Sequence, residues 1–325
     1  MHRLSLLLSV ILSASVRLYA QLNVYYVDVG QGDATYLEFP NGSNALIDGG
    51  PSGAKISKFL QDKGVTKIDH VVLTHPHGDH YVGLKNVFSL VDVKNFYDTK
   101  MENTGATGDN DVRMVAKAKS GCKTHFPETG EKMKWDPKVD ITVLNSCAQP
   151  VQSAKNFEIN NCSIVLKVVY NGSSLLFMGD AEERVEDVIM AQFKTKLESY
   201  ALKVSHHGSR YASSKEFLDL VKPKVAIISV GLNNNFAHPH KEALDRLREV
   251  GAKIFLTTSG TQTLNIPAPK KGIAPVLDGP TLYTTGETLP PAFESIIYTP
   301  EILFPPSAGS GVLEQLKAAA AEVNN

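Results

Sequence analysis

Residues Thr74-His75-Pro76-His77-Gly78-Asp79-His80 place four metal-ligand side chains, His75, His77, Asp79 and His80, within six positions. They follow the apolar run Val71-Val72-Leu73, which reads as a buried strand, so the expectation is a ligand-bearing loop at that strand's carboxyl end, where α/β enzymes place chemistry. Mixed imidazole and carboxylate donors suit zinc, manganese or iron, and disfavour calcium, which takes oxygen donors alone. The bland alternative is a polar loop with incidental histidines. Three histidines and an aspartate at this density argue against it.

Other segments have the same build. Leu175-Leu176-Phe177-Met178-Gly179-Asp180 delivers one carboxylate at the end of a buried strand; Asp180 either bridges two metals or caps the helix that follows. Leu202-Lys203-Val204-Ser205-His206-His207-Gly208-Ser209 ends a strand with paired histidines. Leu46-Ile47-Asp48-Gly49-Gly50 offers Asp48 to orient a ligand histidine. Val27-Asp28-Val29-Gly30-Gln31-Gly32-Asp33-Ala34 is either a tight turn with backbone amides near a ligand or a bare hairpin. Asn233 to His240 adds His238 and His240, either of which can donate a proton or touch substrate. Convergence of these loops on one sheet edge would build a two-metal site, and hydrolysis is the natural reaction of such a site.

The elements that must position them alternate. Short strands are expected near residues 23–27, 34–39, 44–47, 70–73, 95–97, 141–144, 163–169, 174–178, 202–204, 225–229, 253–256 and 261–266, with helices near 55–63, 111–119, 181–194, 213–220 and 241–250. This is a layered α/β fold. The first 20 residues, with Arg3 and an apolar stretch from Leu4 to Val16, read as a signal peptide too short to span a bilayer comfortably. Residues 21–267 form the hydrolase domain in this reading. Residues 268–325 are a Pro/Gly-rich extension with one alanine-rich helical stretch, Val312 to Val323. The expected location is therefore secreted or periplasmic, without stable membrane association after cleavage.

The chain of 325 residues carries a formal charge of −1, so the fold as a whole exerts little pull on a polyanion and phosphate recognition must be local. Three cysteines exclude a disulfide scaffold. With Cys162 in an apolar strand as the buried free thiol, Cys122 to Cys147 is the expected pair.

Taken together, His75-x-His77-x-Asp79-His80, Asp48-Gly49-Gly50, Gly179-Asp180 and a late histidine resemble the metallo-β-lactamase superfamily. Asp28-Val29-Gly30-Gln31-Gly32-Asp33, Asn160-Asn161-Cys162-Ser163, Lys203 to Ser209 and His238-Pro239-His240 are similar to the hydrolase domain of ComEC competence proteins, over about residues 22 to 267. The resemblance implies a four-layer αββα sandwich with two divalent metal ions, zinc or manganese. It implies His75 and His77 on one metal, Asp79 and His80 on the other, Asp180 bridging, and His206 or His207 completing a shell. Asp79 would also orient the attacking water. One superfamily histidine, between the first loop and the bridging aspartate, has no match; Asn160-Asn161 stand near its place and His125 is a fallback.

The function this implies is an exported phosphodiesterase or nuclease acting on nucleic acid, with Lys203, Ser209, Arg210 or His238 contacting the phosphate, Asp33 and Asp48 supporting the ligands, and no protein partner inferable. Rival readings are a phosphorylcholine-esterase, lactonase or β-lactamase acting on a small substrate, and a surface binding protein with a structural metal. Complete ligand loops with spare acids argue against the last.

Overall fold

A computed structural model describes residues 21–269 and 281–284. The expected signal peptide, residues 1–20, lies outside the described residues, as does most of the extension, including Val312 to Val323. The first half runs β1 (Leu22–Tyr26), β2 (Thr35–Glu38), β3 (Asn44–Ile47), α1 (Gly53–Asp62), β4 (Lys67–Val72), α2 (Gly78–Leu90), β5 (Asp92–Tyr97), β6 (Met101–Asn103), α3 (Gly108–Ala118), β7 (Lys123–His125), β8 (Lys132–Met133) and β9 (Asp140–Asn145). The second runs β10 (Val151–Ser153), α4 (Asn156–Asn160), β11 (Val165–Tyr170), β12 (Ser173–Phe177), α5 (Glu183–Phe193), β13 (Ala201–Lys203), α6 (Lys215–Val221), β14 (Val225–Ile228), α7 (Lys241–Glu249), β15 (Lys253–Leu256), β16 (Gln262–Ile266) and β17 (Thr281–Thr284).

Two mixed sheets face each other, ordered β17-β16-β1-β2-β3-β4-β5-β7 and β15-β14-β13-β12-β11-β9-β8. Their inner faces are apolar at alternate positions: Leu22, Val24 and Tyr26 of β1 meet residues such as Leu166, Val168 and Phe177 of the other sheet. Ile56 and Leu60 of α1, Leu84, Val87 and Phe88 of α2, and Val112 and Ala116 of α3 cover the outer face of the first sheet. On the second sheet α5 lies against β9 and α7 against β15, with α6 between these helices. This is the four-layer αββα sandwich.

Within each sheet one set of strands is parallel: β3, β4, β5 and β7 in the first, β12 to β15 in the second. Their carboxyl ends lead into Asp48, residues 74–80, Asp180, residues 205–209 and Ser229. A third, two-stranded sheet of β6 and β10 stands beside them.

Four expectations need correction. The loop bearing the four ligands is shorter than expected, because Asp79 and His80 already lie in the first turn of α2, a helix the sequence reading omitted. Asp180 is not a helix cap; α5 begins at Glu183 with Glu182 at its N-cap. The disulfide joins Cys147 to Cys162, and Cys122 is the free thiol. Cys162 precedes β11 rather than lying in it, and antiparallel pairing of β9 with β11 brings the chain at 147 alongside it; Cys122 sits with the helices on the other sheet. Lastly, β17 pairs with β16, so the first sheet takes in part of the segment read as extension.

Candidate metal centre

The first ligand loop is held by Asp48. Its Oδ1 accepts from the Thr74 amide at 2.8 Å, and its Oδ2 accepts from Thr74 Oγ1 at 2.7 Å and from His80 Nδ1 at 2.8 Å. With Nδ1 committed as donor, His80 turns Nε2 to Asp180, where it holds a proton in the absence of a cation and would offer its lone pair to one that displaced that proton. Thr74 Oγ1, its proton given to Asp48, accepts from His75 Nδ1 at 3.1 Å, which leaves His75 Nε2 as the lone-pair nitrogen, 3.0 Å from His77 Nδ1. Asn103 at the end of β6 donates to the Pro76 carbonyl at 3.0 Å and pins the loop from the other side. Tight packing explains the Gly49-Gly50 pair: a Cβ on Gly49 would lie 2.6 Å from the Leu84 amide nitrogen of α2, and Gly50, at φ +76°, would put one 2.7 Å from Val29 Cβ.

The second loop is held differently. His206 and His207 both adopt left-handed backbone, with φ of 47° and 54°. His207 Nδ1 donates to the Ser229 carbonyl at 2.9 Å, so Nε2 faces Asp79 Oδ2 at 3.1 Å and Asp180 Oδ2 at 3.5 Å. Asp180 is set by its own amide, which donates to Ser163 Oγ at 3.0 Å, and by Gly179, where a Cβ would meet Ser163 Oγ at 2.8 Å. Its Oδ2 lies 3.3 Å from His80 Nε2, 3.8 Å from His75 Nε2 and 4.0 Å from His206 Nε2.

Two donor groups result that share one carboxylate: His75, His77 and Asp180, and Asp79, His80, Asp180 and His207. His77 Nε2, His80 Nε2 and Asp180 Oδ1 are buried without a hydrogen-bond partner. An unpaired buried polar atom costs about 1–3 kcal/mol, and a cation ligated by such atoms removes that cost. The chemistry of the set fits divalent metals that accept nitrogen and oxygen together.

The electrostatics agree. Burial opposes a charge on His80, yet Asp180, Asp48 and Asp79 hold it well above the ordinary histidine range; burial opposes the Asp180 charge, yet His80, His207 and His206 hold it well below the carboxylate range. His238 moves the other way: burial first, then the charges of His207, His206 and His240, push it down to about 3. It is neutral near pH 7.

The remaining expected residues separate clearly. His207 joins a donor group, whereas His206 turns Nδ1 to Glu182 Oε1 at 3.2 Å. Asp33 stands behind His207, 3.4 Å from Nδ1, and pairs with Lys203. Lys203 is only 2% exposed, with Nζ committed to Asp33 and to the Val204 carbonyl, so it braces Asp33 instead of meeting a phosphate. Ser209, His238 and His240 line the cleft above the site, whereas the Arg210 guanidinium pairs with Glu242 at 3.1 Å outside that lining. His125 is remote, bonded to Asn95 and stacked on Tyr97. Asn160, near the place of the unmatched histidine, lines the cleft and keeps a buried, unpartnered Oδ1. The sequence assigns no role to Thr74, Ser163, Asn103 or Ser229, which fix the ligands; only Thr74 and Ser163 fall within the quoted motifs.

The cleft has a volume of about 910 Å3 and reaches from His77 and Asp180 out to Phe157, Tyr211 and Phe236.

Among known proteins, the chain is 30% identical over 234 residues to competence protein ComA of Neisseria gonorrhoeae and 29% identical over 250 residues to ComE operon protein 3 of Bacillus subtilis. Each match takes in 71% of this chain but only about a third of the relative, 30% and 31% respectively. Among solved structures, a CmlA beta-hydroxylase mutant superposes with a TM-score of 0.50 at 13% identity, over 75% of this chain and 54% of that one, which speaks to fold alone. The profile of the metallo-beta-lactamase superfamily matches residues 27–231, and with the αββα sandwich and the shared-carboxylate centre in place, the chain belongs to that superfamily.

Proposed function

We propose that this metal-dependent hydrolase is a phosphodiesterase that cleaves nucleic acid outside the cell. The observation that carries the reading is Asp180, whose one carboxylate serves two adjacent donor groups, the arrangement suited to an oxygen-rich diester. Names of the relatives, competence proteins among them, support nucleic acid as the substrate. Export rests on the sequence of residues 1–20 alone.

Divalent ions held by these residues, zinc or manganese, supply Lewis acidity and lower the pKa of water. The chain's own groups do the rest. Asp79, fixed at 3.1 Å by His207, is placed to orient a water and accept its hydrogen bond. Neutral His238 at the lip, with Nδ1 buried and unpartnered, is a hydrogen-bond partner for a substrate oxygen. Ser209, buried at the same wall, completes the contact surface.

The test is hydrolysis of bis-p-nitrophenyl phosphate and of DNA by the full chain, stripped of metal and then given zinc or manganese. Metal-restored cleavage of both, lost in Asp180→Ala, is expected. Cleavage of an ester or lactone with none of either diester would replace this reading with a small-substrate hydrolase.

A further inference from the structure

Four aromatic side chains among the described residues are largely exposed, and three of them, Phe157 (47%), Tyr211 (64%) and Phe236 (61%), line the cleft over the metal centre. Singly exposed aromatics need no explanation. These three come from separate segments, α4, the stretch after the second ligand loop, and the loop before α7, and independent segments do not converge on one rim by a shared local pattern. Phe236 is stacked on His238, with ring centroids 5.7 Å apart and planes 22° apart, so the rim continues onto a ring already inside the site. Cations are scarce there: Lys155 is the one lysine or arginine lining the cleft.

We infer that Phe157, Tyr211 and Phe236 form a base-stacking rim that makes single-stranded nucleic acid, with its bases unpaired, the preferred substrate. This rests on the phosphodiesterase reading and deepens it. A flat π-face binds any base, and each base–aromatic contact is worth a factor of roughly 5 to 100 in affinity. Bases inside a duplex are already stacked and cannot reach the rim. A groove with one lysine gains little from counterion release, so binding depends weakly on salt: log K falls by about 0.7 per log unit of salt for each phosphate neutralised on a single strand. Stacking carries the affinity that the near-neutral chain does not obtain from charge.

The experiment uses the full chain and labelled oligonucleotides of equal length: a single strand, the same backbone without bases, and the duplex. Binding is read by fluorescence anisotropy on the metal-free protein, and turnover, with metal restored, beside bis-p-nitrophenyl phosphate. The single strand is expected to bind more tightly than the abasic strand or the duplex, with a salt slope near −0.7 for one phosphate contact. Phe157→Ala and Tyr211→Ala should each weaken it roughly 5- to 100-fold, with the loss in turnover larger on the oligonucleotide than on the small diester by that factor. Phe126→Ala, the exposed aromatic away from the cleft, is the control. Equal binding of abasic and base-bearing strands, or equal losses on small diester and oligonucleotide, would overturn the rim while leaving the phosphodiesterase reading intact. Normal base-dependent binding with no diester hydrolysed by the metal-loaded protein would instead sink the reading and leave a nucleic-acid-binding cleft.

Discussion

The two ligand loops reach the same carboxylate by different means. Residues 74–80 enter α2 with an acid, Asp79, in its first turn, where the helix dipole favours negative charge, and are held by side chains: Asp48, Thr74 and Asn103. Residues 205–209 also have side-chain contacts, Ser205 to the Ala181 carbonyl, Glu182 to His206 and Asp33 to His207, but depend more on the backbone, with two consecutive non-glycine residues in left-handed geometry and a main-chain carbonyl fixing His207. A left-handed residue costs roughly 1–2 kcal/mol, which the surrounding fold must offset. The first loop should therefore fail through its hydrogen-bond partners and the second through its backbone.

The largest effect belongs to the residue both loops share. Asp180→Ala should remove both donor groups and cost several kcal/mol of transition-state stabilisation, a thousandfold or more in turnover; bound metal measured beside turnover checks it, and full activity with stoichiometric metal would refute the shared-carboxylate centre. Next is the second loop. Gly208, at φ +81° with the Cβ position 2.6 Å from Pro239 Cβ, should tolerate alanine poorly, and Gly208→Ala should lower stability by about 3 kcal/mol in urea unfolding. On the first loop, Asp48→Asn keeps a residue type that accepts its φ of 59° but has one oxygen where two are used. It should weaken metal affinity by about 10- to 100-fold with little change in Tm; the reverse pattern, a stability loss at unchanged affinity, would erase the distinction between the loops.

The smallest effect is a titration beyond the second loop. Burial raises Glu186, whose carboxylate accepts from the Ser213 and Ser214 amides, from 4.5 to about 6. The folded state thus holds the proton more tightly than the unfolded chain. Its contribution, about 2 kcal/mol, is present below pH 4.5 and lost as pH rises through about 6. Urea midpoints from pH 4 to 7 should show that component in the natural chain and lack it in Glu186→Gln.

Much of the fold was legible because inward-facing apolar residues alternate in β1 and run unbroken in parallel strands such as β14. Helix α2 was overlooked although Tyr81, Leu84, Val87 and Phe88 recur at its period, because its first turn is occupied by ligand residues and its N-cap, His77, makes no side-chain capping bond. Strands of two or three residues, such as β6, β8 and β10, are too short to show periodicity. The metal loop's candidate donors stand out in the sequence by their spacing. The choice of His207 over His206 does not, since it depends on backbone handedness and on Ser229. Lys203 looked free because its partner, Asp33, belongs to the opposite sheet's loops and is distant in sequence. The cysteine pairing was misread for want of the β9–β11 register.

That bridge has a consequence for how the molecule works in parts. Cys147 and Cys162 close a ring with a sequence separation of 15, and Lys155, Phe157 and Asn160 all lie inside it. In the chain-entropy account a loop of that size is worth about 3 kcal/mol, independent of any ion. One bank of the cleft is thus covalently tethered, so under the proposed reading grip and cutting should be separable: a metal-free chain should keep its grasp on a strand, and a thiol reductant should loosen that grasp while the donor residues, which lie outside the ring, stay assembled.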